Sequence, residues 1–269
     1  MDIRITDQEF ARFRQLIYQL AGIQLTDVKK ALVEGRLSRR LKHYNLNSFS
    51  AYYRLVCDKS QPAELQVMVD LLTTNETYFF REPRHFTFLR DQVLPQLPGG
   101  RPVRCWSAAC SSGEEVYTLA MLLAHGLPAG RAWEVMGSDI STQVLARARA
   151  GHYPLARNEG IPPGFLARYC LKGVRSQAGT FMIAPELRQR VSFRQINLMH
   201  PVGSEHGMFD VIFLRNVMIY FDQETRRKVV SHLLPRLNRG GYLFIGHSET
   251  LNGINEYLLP VIPTVYRSA

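Results

Sequence analysis

The chain has 269 residues, 46% of them hydrophobic and 21% charged, with a formal net charge of +10. That is ordinary globular composition, with length enough for a buried core and for a larger and a smaller domain. With no run of 18 apolar residues and no signal segment at Met1–Ile5, a soluble cytoplasmic protein is expected, and the excess of cations points to an acidic partner.

From Thr6 to about Thr73 the pattern is helical. Phe10, Phe13, Ile17 and Leu20–Ala21 recur at helical spacing, and Gly22 closes that helix. Thr26 is expected to cap the next helix, with Asp27 in its first turn. Between Val28 and Tyr44, Lys29, Lys30, Arg36, Arg39, Arg40 and Lys42 face the single acid Glu34. At about 100° per residue, Lys29, Arg36 and Arg40 share one narrow face beside Val33, Leu37, Leu41 and Tyr44. That face is either solvated or a docking surface for something acidic. Phe49–Val56 and Ala63–Leu72 continue the helical pattern.

Thr73–Pro83 then places Tyr78, Phe79 and Phe80 beside Asn75, Thr77 and Arg81. Three consecutive aromatics are unusual in a connecting segment. They read as a lid folded over a site, or as a plug between two domains.

Val103–Tyr117 reads as a strand, a loop of small residues and a helix from about Glu114. In an open α/β sheet this arrangement makes a nucleotide site. The G-x-G-x-x-G fingerprint is absent; only Gly113 is present. A second strand, Trp133–Asp139, ends on an acid where doubly wound folds hold ribose hydroxyls. Asp139 is otherwise a helix cap. Gly151–Arg190 breaks the α/β alternation, and Thr180–Ala184 alternates toward a strand. Phe209–Leu214 is a later strand, Gly240-Gly241 reads as a turn before another, and Val261–Arg267 as the last. His247, Ser248 and Glu249 lack a nucleophile elbow and read as loop polar residues. Cys57, Cys105, Cys110 and Cys170 have no C-x-x-C spacing and read as small buried thiols, and the histidines show no metal-ligand pairing.

Three of these stretches, Thr73–Glu82, Trp106–Glu115 and Phe213–Asp222, resemble the chemotaxis receptor methyltransferase family, CheR, in order and spacing. The resemblance covers nearly the whole chain. It implies a doubly wound Rossmann-like α/β methyltransferase sheet with an N-terminal all-helical domain and a small antiparallel β insertion. The expected division is a helical receptor-docking domain at 1–72, a linker at 73–84 and a methyltransferase domain at 85–269, with the insertion around 165–195. The implied activity is transfer of a methyl group from S-adenosylmethionine to receptor glutamates, giving methyl esters and S-adenosylhomocysteine.

Carried over residue by residue, the resemblance implies cofactor contacts from Asn75, Thr77, Arg81, Glu114, Asp139, Asn197, Leu198, Asn216 and Val217. Arg81 and Tyr220 are the expected catalytic pair, orienting the substrate carboxylate. Asp139 would take the ribose diol, and Glu114 and Asn216 the methionine end. Tyr78, Phe80 and Tyr220 are candidates to face the sulfonium. Lys29, Arg36 and Arg40 would dock the helical bundle of the receptor. The loop Gly173–Gly179 either docks a receptor C-terminal peptide or is a plain insertion. A regulatory protein is a further possible partner; nucleic acid, metal and membrane insertion are not expected. An RNA methyltransferase and a catalytically silent cofactor-binding adaptor are the competing readings, the first from the net charge.

Overall fold

The computed structural model describes residues 3–255 and 257–269, so the first two residues of the stretch read for a signal lie outside it. Four helices come first: α1 (Asp7–Ala21), α2 (Lys30–His43), α3 (Phe49–Cys57) and α4 (Pro62–Leu72). They bury Phe10, Phe13, Ile17, Val33, Leu37, Phe49, Tyr52 and Met68 in one core. Thr6 starts α1 with a capping box: its hydroxyl accepts from the Glu9 amide, and Glu9 accepts from the Thr6 amide. Gly22 ends α1 at φ 70°. Thr26 makes no side-chain cap bond; a 3-10 turn, Asp27–Lys29, leads into α2 instead.

After the linker come α5 (Pro83–Phe88), β1 (Val103–Ala108), α6 (Glu114–Gly126), β2 (Trp133–Asp139) and α7 (Thr142–Ala150). Then follow β3 (His152–Pro154), α8 (Pro163–Tyr169), β4 (Cys170–Lys172), β5 (Thr180–Ile183), α9 (Pro185–Arg188) and β6 (Val191–Gln195). The chain finishes with β7 (Phe209–Leu214), α10 (Gln223–Leu233), β8 (Leu237–Ile245), β9 (Leu258–Ile262) and β10 (Val265–Ser268). The main sheet runs β6-β2-β1-β7-β8-β10-β9. β1 pairs in parallel with both β2 and β7, and β10 runs antiparallel to β8. Strand order reverses at β1 and β7, and at such a switch point the carboxyl ends of the strands open a crevice. Both faces are buried. Val103, Cys105 and Phe213 pack on one side, and Trp106, Ala108 and Ile212 on the other, as expected for parallel strands covered by helices.

Three boundaries differ from expectation. The small antiparallel sheet, β3-β5-β4, spans 152–183, whereas Val191–Gln195 pairs with β2 as the edge of the main sheet. Three-residue strands carry no readable periodicity. Gly240-Gly241 is not a turn: β8 runs through it as a bulge, its register against β7 shifting between Phe209 and Val211. The final strand is a hairpin, β9 and β10. Cys105 and Cys110 are buried, but Cys57 is exposed. No helix among the described residues is long and apolar enough to cross a membrane.

The helical domain lies on the carboxyl edge of the sheet. Asp70 of α4 accepts from the Thr142 amide and hydroxyl at 3.0 and 2.9 Å and so caps α7 from the other domain. Asn197 donates to the Leu20 carbonyl, and the Gln24 amide to that of Tyr220.

Candidate functional site

A cleft opens at the carboxyl ends of β1, β2 and β7, enclosing about 1210 Å³ with its mouth included. Asn75, Thr77, Arg81, Asp139, Asn197, Leu198, Asn216, Val217 and Tyr220 all line it. So does the end of the helical domain, through Ile23, Gln24, Leu25, Lys29 and Leu32. The two domains therefore form opposite walls.

The loop after β1 turns sharply: Ala109 and Ser111 hold φ values of 64° and 49°, and Gly113 one of 95°. A Cβ on Gly113 would stand 2.9 Å from that of Ala148, so the close approach of α6 to α7 requires glycine. Asp139 is 7% exposed. Its oxygens accept from the amides of Ser111 (2.8 Å) and Ser141 (2.9 Å), which fixes the carboxylate at the cleft wall. Burial raises its pKa above the ordinary carboxylate value, and the backbone donors pull it back.

Glu114 is the clearest departure. It is 1% exposed, accepts from the Ser112 hydroxyl and pairs with Arg157 at 3.3 Å, away from the cleft. Its neighbour Glu115 lines the cleft. One helical step, about 100°, separates the two directions. Glu115 is fixed by the Ser107 hydroxyl and by Arg215, whose Nε lies 3.2 Å from it. Burial raises its pKa as well.

Arg215 was not anticipated. Its side chain is 2% exposed, donates to the Arg81 carbonyl and to His85 Nδ1, and lies over the rings of Phe86 and Phe213. Its place in the Arg215-Asn216-Val217 run is the one sequence signal that marked it. Glu82 accepts from the Asn216 side-chain amide at 3.1 Å. Glu82, His85 and His247 bring three metal-ligand-type atoms within 4.8 Å of one another. Arg215 stands among them, 3.7 Å from Glu82, so a metal cation there would meet a fixed positive charge.

The aromatic run behaves as a plug. Phe79 packs on Tyr153 and Phe181 of the small sheet, and Phe80 on Phe86 and Phe165. Tyr78 is exposed and lies under the Arg81 guanidinium, outside the cleft. Of the three aromatics expected near a sulfonium, only Tyr220 lines the cleft. Thr73–Thr77 supplies the wall that the lid was expected to supply.

The basic face of α2 is also corrected. Arg40 makes two hydrogen bonds, 2.8 and 2.6 Å, to Glu64, which is 3% exposed and also bound by Tyr44 and Tyr52. Arg36 donates to the Leu72 and Thr73 carbonyls. That face therefore turns inward to α4 and the linker, where the two cations hold the domain together. Lys29 is exposed, at the mouth of the cleft, with no ion pair among the described residues.

The cleft thus presents two largely buried carboxylates, Glu115 and Asp139, at separate points on a wall with one buried guanidinium, Arg215. These acceptors suit a ligand that carries hydrogen-bond donors at two separate points. Comparison with known proteins agrees. Residues 8–73 match the model of the CheR methyltransferase all-alpha domain, and 75–266 that of the CheR methyltransferase SAM binding domain. The chain belongs to the CheR methyltransferase family. Chemotaxis protein methyltransferase 2 of Pseudomonas aeruginosa is 42% identical over 269 residues, spanning 100% of this chain and 95% of its own length. The chemotaxis protein methyltransferase of Escherichia coli is 40% identical over 266 residues, 98% and 92% of the two chains. That of Borreliella burgdorferi is 37% identical over 276 residues, 99% and 96%.

S-adenosylmethionine is the cofactor of this CheR chain. The residues present fit it: two largely buried carboxylates, Asp139 and Glu115, stand at separate points of the cleft, with the Asn216–Val217 turn also on its lining.

Proposed function

We propose that this chain methylates glutamate side chains of chemoreceptors, forming methyl esters. The observation that carries this reading is that Arg81 and Tyr220 line one cleft, whose described lining includes no histidine. A glutamate carboxylate is ionised near neutral pH and needs no general base. A hydroxyl acceptor would need a proton removed.

Bound cofactor supplies an electrophilic methyl on a sulfonium. Asp139 and Glu115 hold its two ends, Asn216 and Val217 close the turn beside it, and Arg81 offers a planar donor fork to the incoming carboxylate. Tyr220 orients that carboxylate together with Arg81. The protein's contribution is placement, worth up to roughly 7–11 kcal/mol when reacting atoms are held in line.

Receptor docking, in this reading, uses Lys29 at the mouth with Arg39 and Lys42, both exposed on α2. A receptor C-terminal peptide would add to the small sheet near Gly173–Gly179, where Leu171 and Val174 are 52% and 67% exposed. A cytoplasmic location follows from such a substrate, and a regulatory protein acting on this surface is compatible with it.

The test is incubation with methyl-labelled cofactor and either receptor cytoplasmic fragments or RNA. Label on the fragments, released as methanol by mild base, is the expected result. Label on RNA, base-stable label, or none would overturn the proposal.

A further inference from the structure

Glu249 lies in the loop after β8, 33 residues from Asn216 in sequence, and reads there as an ordinary polar loop residue. In the structure it is 9% exposed. Its Oε2 accepts from the amides of Gly246 (2.6 Å) and Asn216 (3.0 Å), and its Oε1 from that of Ile219 (3.2 Å). One carboxylate thus gathers three backbone donors, two of them in the turn that carries Asn216, Val217 and Tyr220.

That turn needs holding. Asn216 sits at φ 57°, a conformation costly for a residue with a Cβ. The short 3-10 turn Met218–Tyr220 follows at once. The Glu249 loop also presses close: a Cβ on Gly246 would fall 2.6 Å from the Asn216 amide nitrogen Nδ2 and 2.8 Å from Glu249 Oε2. The contact is a fitted one.

We infer that Glu249 is a positioning residue that sets Asn216 for the cofactor through Oε2 and Tyr220 for the acceptor through Oε1. It touches neither ligand itself. The two oxygens are separable. In Glu249→Gln the carbonyl oxygen replaces Oε2, because that position serves two donors, and the amide nitrogen then faces the Ile219 N–H donor to donor. The Asn216 side is kept and the Tyr220 side is lost. Glu249→Leu removes both.

The cofactor half rests on the cofactor alone, and the Tyr220 half on the proposed methyl transfer. S-adenosylhomocysteine affinity is therefore measured by calorimetry without any acceptor, and steady-state kinetics with receptor fragments separately. Glu249→Leu is expected to weaken S-adenosylhomocysteine binding at least about tenfold, and Glu249→Gln by no more than about twofold. Glu249→Gln is expected to lower kcat at least about tenfold with the cofactor KM nearly unchanged. Leu251→Ala, a buried residue of the same loop outside these bonds, is the stability control. Parent-like affinity in Glu249→Leu, equal affinity in Gln and Leu variants, or the same losses in Leu251→Ala would overturn the inference. A parent protein that methylates no receptor fragment would sink the proposed function, while the binding arm would still decide the role of Glu249.

Discussion

The Tyr18 hydroxyl donates to Asp222 Oδ2 across 2.7 Å, joining the helical domain to the N-cap of α10 in the methyltransferase domain. A few residues on, a Cβ on Gly22 would lie 2.6 Å from both Met199 Sδ and Thr225 Cγ2. Docking thus depends on a hydrogen bond and on a missing side chain. Gly22→Ala, at φ 70°, is expected to lose roughly 1–3 kcal/mol in denaturant unfolding and to bind S-adenosylhomocysteine more weakly. Tyr18→Phe is expected to weaken binding with little loss of stability. Unchanged affinity in both variants would mean that the helical wall does not help to hold the cofactor.

Glu115, not Glu114, faces the cleft. Glu115→Gln is expected to weaken cofactor binding by roughly 1.5–3 kcal/mol, the worth of a charge-assisted bond. Glu114→Gln acts on the Ser112–Arg157 contacts and is expected to change affinity far less. Calorimetry of the two variants decides between them. The pH dependence has a definite sign. A cationic ligand needs Glu115 and Asp139 ionised, and burial raises both pKa values. Affinity is therefore lost as pH falls, beginning above the ordinary carboxylate range.

Arg40 and Arg39 are neighbours on α2 in opposite surroundings, the first bound to buried Glu64 and the second exposed. Arg40→Ala leaves the Glu64 carboxylate buried without its cation and is expected to destabilise the chain by about 3–5 kcal/mol. Arg39→Glu is on the exposed face. It is expected to leave the melting temperature nearly unchanged and to lower methylation of receptor fragments, more so at low salt.

His85 is 2% exposed, and burial, then the nearby Arg215, push its pKa down to about 4. The unfolded chain takes up this proton near its ordinary value, so the neutral histidine stabilises the fold fully above that pH. This contribution is lost as pH falls from about 6.5 toward 4, at up to about 1.4 kcal/mol per unit. Buried carboxylates with raised pKa values act in the opposite direction, so the comparison must be with His85→Gln. The difference between parent and variant unfolding free energies should slope over this window and be flat above it.

The sheet was legible because its central strands are mostly apolar and end on informative residues: Val103–Ala108 runs into the Gly113 loop, and Trp133–Asp139 ends on an acid. Most of the residues expected at the cofactor do line one cleft, because their motifs keep their own local geometry. What failed was direction. Helical periodicity shows that Arg36 and Arg40 share a face, but not that the face turns toward Glu64, which lies 24 residues from Arg40. Choosing Glu114 over Glu115 is the same error on the scale of one residue. Glu249 was invisible for another reason: the amides it binds are brought to it by the pairing of β7 with β8, and no local pattern records that.

Because one wall of the cleft belongs to the helical bundle and the other to the sheet, occupancy and inter-domain closure are thermodynamically linked. Any ligand that grips both walls stabilises the closed pair by RT ln(1 + [L]/Kd). Filling of the cleft and seating of the helical domain on the sheet would therefore rise and fall together.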